Sequence, residues 1–157
     1  MRNQRLLFLI LLLGFIQITV STLCAQDEWW QDKKYKSEKA NQKYSSCKRI
    51  FKEIATGFSA SSVSLISQHF SNEVYLDIIS YEKGFYSSSQ AEFMLSDFMD
   101  YFKIVSFKYS RSYHKNSYAF TNGKYVYNIG SGKRELNVSV SLKYRDDVWI
   151  VDQININ

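Results

Sequence analysis

Residues 84–95 read GFYSSSQAEFML, and the role of the serines there decides the fold. Ser87 is followed three residues on by Gln90, and Ser89 by Glu92. Both pairs fit a capping box, in which a serine hydroxyl accepts from the orphan N–H groups of a helix start and the later side chain reaches back. Downstream, Ala91, Met94, Leu95, Phe98, Met99 and Phe102 recur at helical spacing and form one apolar face over about three turns. Glu92, Ser96, Asp97 and Asp100 take the opposite face, with Phe93 out of place among them. A nucleophilic serine would need a base within reach and usually a Gly-x-Ser-x-Gly turn. Neither stands beside these serines, so they are read as caps on a long helix.

Working outward, Ile50, Ile54 and Phe58 recur at every fourth position from about Ser46, with Gly57 near the end, which predicts a first short helix. After the serine-rich SASS, Val63, Ile66 and Phe70 give the stripe of a second. In EVYLDIIS the period changes to two, with Val74, Leu76 and Ile78 on one face of a strand. Beyond Phe102, residues 103–115 alternate Val105, Phe107, Tyr109, Arg111 and Tyr113 against smaller or polar partners, and a turn is expected at Asn122-Gly123 before KYVYNIG. ELNVSVSLKY is close to strict alternation, RDD turns the chain, and VWIVDQINI closes it. Helices followed by long strands with short connections predict an α+β fold with an antiparallel meander.

The first 25 residues stand apart. Arg2 and Arg5 precede an apolar run from Leu6 to Val20, and Ala25 ends the segment, the layout of a secretory signal. The run is shorter than the roughly 20 residues that span a membrane, so removal rather than anchoring is expected. Cys24 offers a lipoprotein alternative, against which stands the bulky Leu23 directly before it. Residues 26–46 read as a charged tether carrying Trp29 and Trp30, and 47–157 as the domain. Export to the periplasm or medium follows as an expectation. Cleavage would leave Cys47 alone, a small apolar residue near a helix start, so no internal disulfide is expected.

The chain carries 20 Lys and Arg against 15 Asp and Glu, yet the excess lies within residues 1–49. Residues 50–157 hold eleven of each sign. That balance lacks the footprint of nucleic-acid binding. After the expected cleavage, two separated histidines and one cysteine give no metal-ligand spacing. The Gly-rich GSGKRE at residues 130–135 lies between strands without a following helix and reads as a hairpin rather than a phosphate cradle. No cofactor is called for.

The element order of helices, strand, helix and a run of long strands resembles the nuclear-transport-factor-2-like fold. Within it, Tyr86, Ser87, Gln90, Ala91, Glu92, Leu95, Asp97 and Phe98, then Ser106-Phe107, Ile129-Gly130 and the closing aliphatic strand resemble the exported bacterial domain-of-unknown-function 4783 family. Met99 and Leu136-Asn137-Val138 depart from its pattern. The resemblance implies a curved antiparallel sheet wrapped around a long helix as a cone, with two short N-terminal helices. It brings no established activity.

Enzymes of that superfamily keep an acid or base and a hydrogen-bonding partner inside the cone, which directs attention to inward polar residues. Asp152 shares parity with Val148, Ile150, Ile154 and Ile156 and is the candidate base, with Asp77 and His69 as weaker companions. A bulge would reverse that parity, and Trp149, Val151, Gln153 and Asn155 make an equally plausible half-buried face. His69, at a helix end, equally suits a capping cation. Three functional readings follow. Tyr75, Tyr109, Tyr125 and Tyr127 could line a cavity for a small ligand, making the protein a non-enzymatic binding module. Trp149 and Val151 could anchor an envelope protein or a second copy, as a homodimer, on the sheet face. The third is a cofactor-free proton-transfer or hydrolytic enzyme built on Asp152.

Overall fold

The computed structural model describes residues 37–79, 81 and 83–157. The expected leader, Cys24 and the Trp29-Trp30 pair lie outside the described residues. The chain divides after Lys43, and the unit Tyr44–Asn157 carries the sheet and the cleft.

Residues 37–59 are helical (α1), so the helix is already formed well before Ser46, where the apolar periodicity begins. The intervening stretch is rich in Lys, Glu, Ala and Gln, which have high helix propensity without needing to bury anything. Cys47, Ile50, Phe51, Ile54 and Phe58 make its buried stripe. The expected second helix shrinks to one turn, α2 (Ser64–Ser67), because Phe70 already opens the first strand. Gly57 makes the α1–α2 junction possible: a Cβ built there would lie 2.6 Å from Ile66 Cγ1.

Six strands form one sheet: β1 (Phe70–Ile78), β2 (Gly84–Ser87), β3 (Ile104–Lys115), β4 (Tyr118–Ile129), β5 (Gly132–Arg145) and β6 (Val148–Ile156), in the order β2-β1-β6-β5-β4-β3. The meander β3–β6 is antiparallel as expected, but β1 joins β6 in parallel. The four-residue β2 was not legible as a strand. It pairs with β1 and runs directly into α3 (Ser88–Tyr101).

Ser87 is the cap of α3. Its hydroxyl accepts from the Gln90 amide, and Gln90 Oε1 accepts from the Ser87 amide at 3.0 Å. Ala91, Met94, Leu95, Phe98 and Met99 are buried while Phe93 is 72% exposed. Both long helices meet the same sheet face: Phe98 of α3 and Phe58 of α1 contact the ring of Tyr125 at centroid distances of 5.2 and 6.2 Å.

Two bulges set which residues point inward. In β3 the pairing slips between Tyr109 and Arg111, so Phe107 and Tyr109 face the helices, then Ser112 and His114 do, and Arg111 and Tyr113 turn outward. In β6 the slip falls opposite Ser141 and Leu142 and makes Asp152 the extra residue. Trp149 and Val151 are buried before it, Ile154 and Ile156 after it. Asn122-Gly123 is not a turn but the middle of β4. A Cβ on Gly123 would come within 2.8 Å of Phe107 Cζ, so the glycine serves a close ring approach. The β4–β5 hairpin at Gly130 is as expected, with Gly130 at φ +55°.

Candidate functional site

The bulge in β3 opens a cleft of about 670 Å³ between that edge strand and α1, within the range of small-molecule sites. From α1 come Tyr44, Cys47, Lys48, Phe51, Lys52 and Ala55, which share one side of the helix. From β3 come Tyr109, Ser112, His114 and the flank of Tyr113.

The walls are largely aromatic. Tyr109 is held edge-on between Phe51 and Phe107, with centroids 6.0 and 5.0 Å away. The His114 ring lies 5.2 Å from Tyr44 and 5.4 Å from Trp149. Two polar side-chain atoms of residues in these walls lack a hydrogen-bond partner among the described residues. The Tyr109 hydroxyl and His114 Nε2 are both buried without a hydrogen bond. A buried polar group left unsatisfied costs about 1–3 kcal/mol, so each such group weakens the fold. Burial also pushes the Tyr109 hydroxyl far above the usual tyrosine range, which keeps it a neutral donor. Ser112, by contrast, is satisfied by Thr121 Oγ1 at 3.0 Å. The Cys47 thiol is pushed up to about 11 by burial, which makes it a wall and not a nucleophile.

The residues singled out from sequence scatter. Tyr109 alone of the four tyrosines lines the cleft. Tyr125 is fully buried in the core and donates to the Phe102 carbonyl oxygen at 2.6 Å. Tyr127 is buried against Phe102. Tyr75 is on the opposite sheet face, edge-on to Phe85. Asp152 does not occupy an apolar inner face: the bulge turns it outward, where Lys143 Nζ lies 2.8 Å away. Asp77 pairs in register with Asn155 on the outer face. His69 is far in function from Asp152; its Nε2 lies 2.7 Å from Glu53 Oε2 and ties the start of β1 to α1. Trp149 and Val151 are 3% and 0% exposed, so they are core residues and offer no anchor on the sheet face. Missed by the sequence reading were His114, Ser112 and the α1 wall. The signal was present in KYSRSYHK, but only once the slip at Ser110 is known do Tyr109 and His114 share a face.

Among the described residues no carboxylate lines the cleft, and no group of three His, Cys, Asp or Glu could hold a metal ion. Among them, too, no helix is long and apolar enough to cross a membrane.

Comparison with known proteins accords with this architecture. Residues 51–157 match the family described as Domain of unknown function (DUF4783). A DUF4783 family protein from Bacteroides uniformis superposes with a TM-score of 0.61 at 16% identity, over 68% of this chain and 94% of that one. Another from Bacteroides ovatus gives 0.59 at 18%, over 66% and 89%. An NTF-2 like protein of unknown function from Shewanella oneidensis gives 0.51 at 10%, over 72% and 97%. No curated protein matches the chain. With most of the chain covered by the family match and the same α+β architecture in its solved members, this protein belongs to the domain-of-unknown-function 4783 family, on a nuclear-transport-factor-2-like fold.

Proposed function

We propose that the protein is an exported, non-enzymatic module that holds a small amphipathic molecule in the cleft between α1 and β3, its sheet curving around the helices as a cone. The observation that carries the reading is the pair of buried, unsatisfied polar atoms, Tyr109 Oη and His114 Nε2, in an otherwise aromatic wall. A ligand with one or two polar atoms on a flat apolar body would bury itself against Phe51 and Tyr44, and a small side-chain shift of Tyr109 or His114 on binding would bring their polar atoms to it. Export is supported by the basic start and apolar run of the leader. The enzymatic alternative through Asp152 gains no support, since that carboxylate is ion-paired on the outer face.

Native mass spectrometry of the protein released gently from its own cells tests the reading. Wild type should carry a reproducible small additional mass. Ser112→Trp, which fills the cleft from an exposed position on an edge strand, should lose it while keeping the fold. An identical retained mass in both proteins would put the ligand elsewhere, and a bare wild type would remove the reading.

A further inference from the structure

The cleft reading leaves the charge of the ligand open, and the same wall supplies it; the inference below rests on that reading. Lys48 and Lys52 stand one turn apart on α1, both border the cleft and both are exposed. Lys48 Nζ lies 4.5 Å from the ring centroid of Tyr44, itself 44% exposed, which sets that amine at the mouth. No Asp or Glu lines the cleft. Glu53, the acid next to Lys52, is engaged elsewhere by His69 at 2.7 Å and Arg49 at 3.2 Å. Three other surface lysines are paired with acids: Lys103 with Asp100, Lys124 with Glu135, Lys143 with Asp152. The mouth of the cleft is thus a pair of cations with no acidic partner among the described residues, beside an aromatic interior.

We infer that the cleft takes an anionic amphiphile. Its acid group, a carboxylate or sulfonate, lies between Lys48 and Lys52, and its apolar body runs along Phe51 toward Tyr109. Charge-assisted contacts at a partly exposed rim hold the acid. Stacking and exclusion of water hold the body.

Two fluorescent probes with the same ring system separate the two contributions: 1-anilinonaphthalene-8-sulfonate, an anion, and N-phenyl-1-naphthylamine, its neutral counterpart. Affinities of both are measured for wild type and for Lys48→Gln/Lys52→Gln, with amide chemical shifts confirming that binding perturbs Ser112 and His114. The ratio of anion to neutral affinity should fall roughly ten-fold in the double variant, and raised salt should produce the same fall in wild type. If both probes bind in the cleft and the ratio is unchanged, the anionic inference is overturned and the cleft reading stands. If neither perturbs the cleft, the cleft reading falls as well. Both substitutions are on the exposed face of α1, so folding is preserved; the single variants, each giving part of the effect, supply a second check.

Discussion

Gly123 of β4 lies directly beneath the ring of Phe107 on β3: a Cβ at residue 123 would meet Phe107 Cζ at 2.8 Å and the Lys108 carbonyl oxygen at 2.9 Å. That contact sits at the β3 bulge, and the bulge turns Ser112 and His114 into the cleft. Gly123→Ala should therefore destabilise the protein by about 2–3 kcal/mol in urea denaturation, the usual cost of overpacking. Trimming the ring with Phe107→Leu should restore only part of this, since the Lys108 oxygen is backbone. Wild-type stability in Gly123→Ala would mean that the strands separate freely there.

The capping box makes a smaller, separate prediction. Ser87→Ala removes the acceptor for the Gln90 amide and should cost about 1 kcal/mol, visible as a lower urea midpoint. Ser89→Ala, one residue inside α3, should cost little. Equal losses from the two would contradict the assignment of Ser87 as the cap.

Much of this framework was legible in the sequence, and what was not shares a physical origin. The α3 stripe and its cap, β1, the β5 alternation and the Gly130 hairpin are written in local periodicity and turn chemistry. The bulges at Ser110 and Asp152 are not, because a slip in pairing belongs to two strands at once and reverses parity without any change in composition. Asp152 therefore moved from an apolar face to the outer one, and Trp149 and Val151 from a surface to the core. Asn122-Gly123 has the dipeptide of a tight turn, yet its glycine answers to Phe107 from another strand. The parallel pairing of β1 with β6 has no local sign either. His114 was missed for the same reason as the bulge that aims it.

Alkaline pH should weaken the fold. Burial pushes the Tyr125 hydroxyl up to about 12 and moves Tyr109 in the same direction, while in the unfolded chain both ionise near pH 10. Above about pH 10 these two tyrosines hold fewer protons in the unfolded chain than in the native one, so their contribution is fully present below that pH and falls as pH rises toward the folded values, adding to the loss that the raised Cys47 thiol starts at about pH 9. The slope is about 1.4 kcal/mol per pH unit for each tyrosine. Urea midpoints that decline between about pH 10 and 11 are expected; a flat profile would show that these tyrosines ionise in the fold as they do in water.

The Cys47 thiol is 3% exposed and pushed up to about 11. Iodoacetamide at about pH 8 should leave it unmodified in the folded protein and label it after denaturation, as read on the Cys47 peptide by mass spectrometry. Rapid native labelling would open the α1 wall of the cleft and contradict its burial.

Tyr109→Phe tests whether the fold carries a buried polar atom without a partner beside the cleft. The substitution removes a buried hydroxyl that has no partner and keeps the ring between Phe51 and Phe107. In ligand-free protein, urea denaturation should show a gain of about 1 kcal/mol. A loss of that size would show that the hydroxyl is a satisfied structural group, and the cleft would have no polar atom waiting for a ligand at Tyr109.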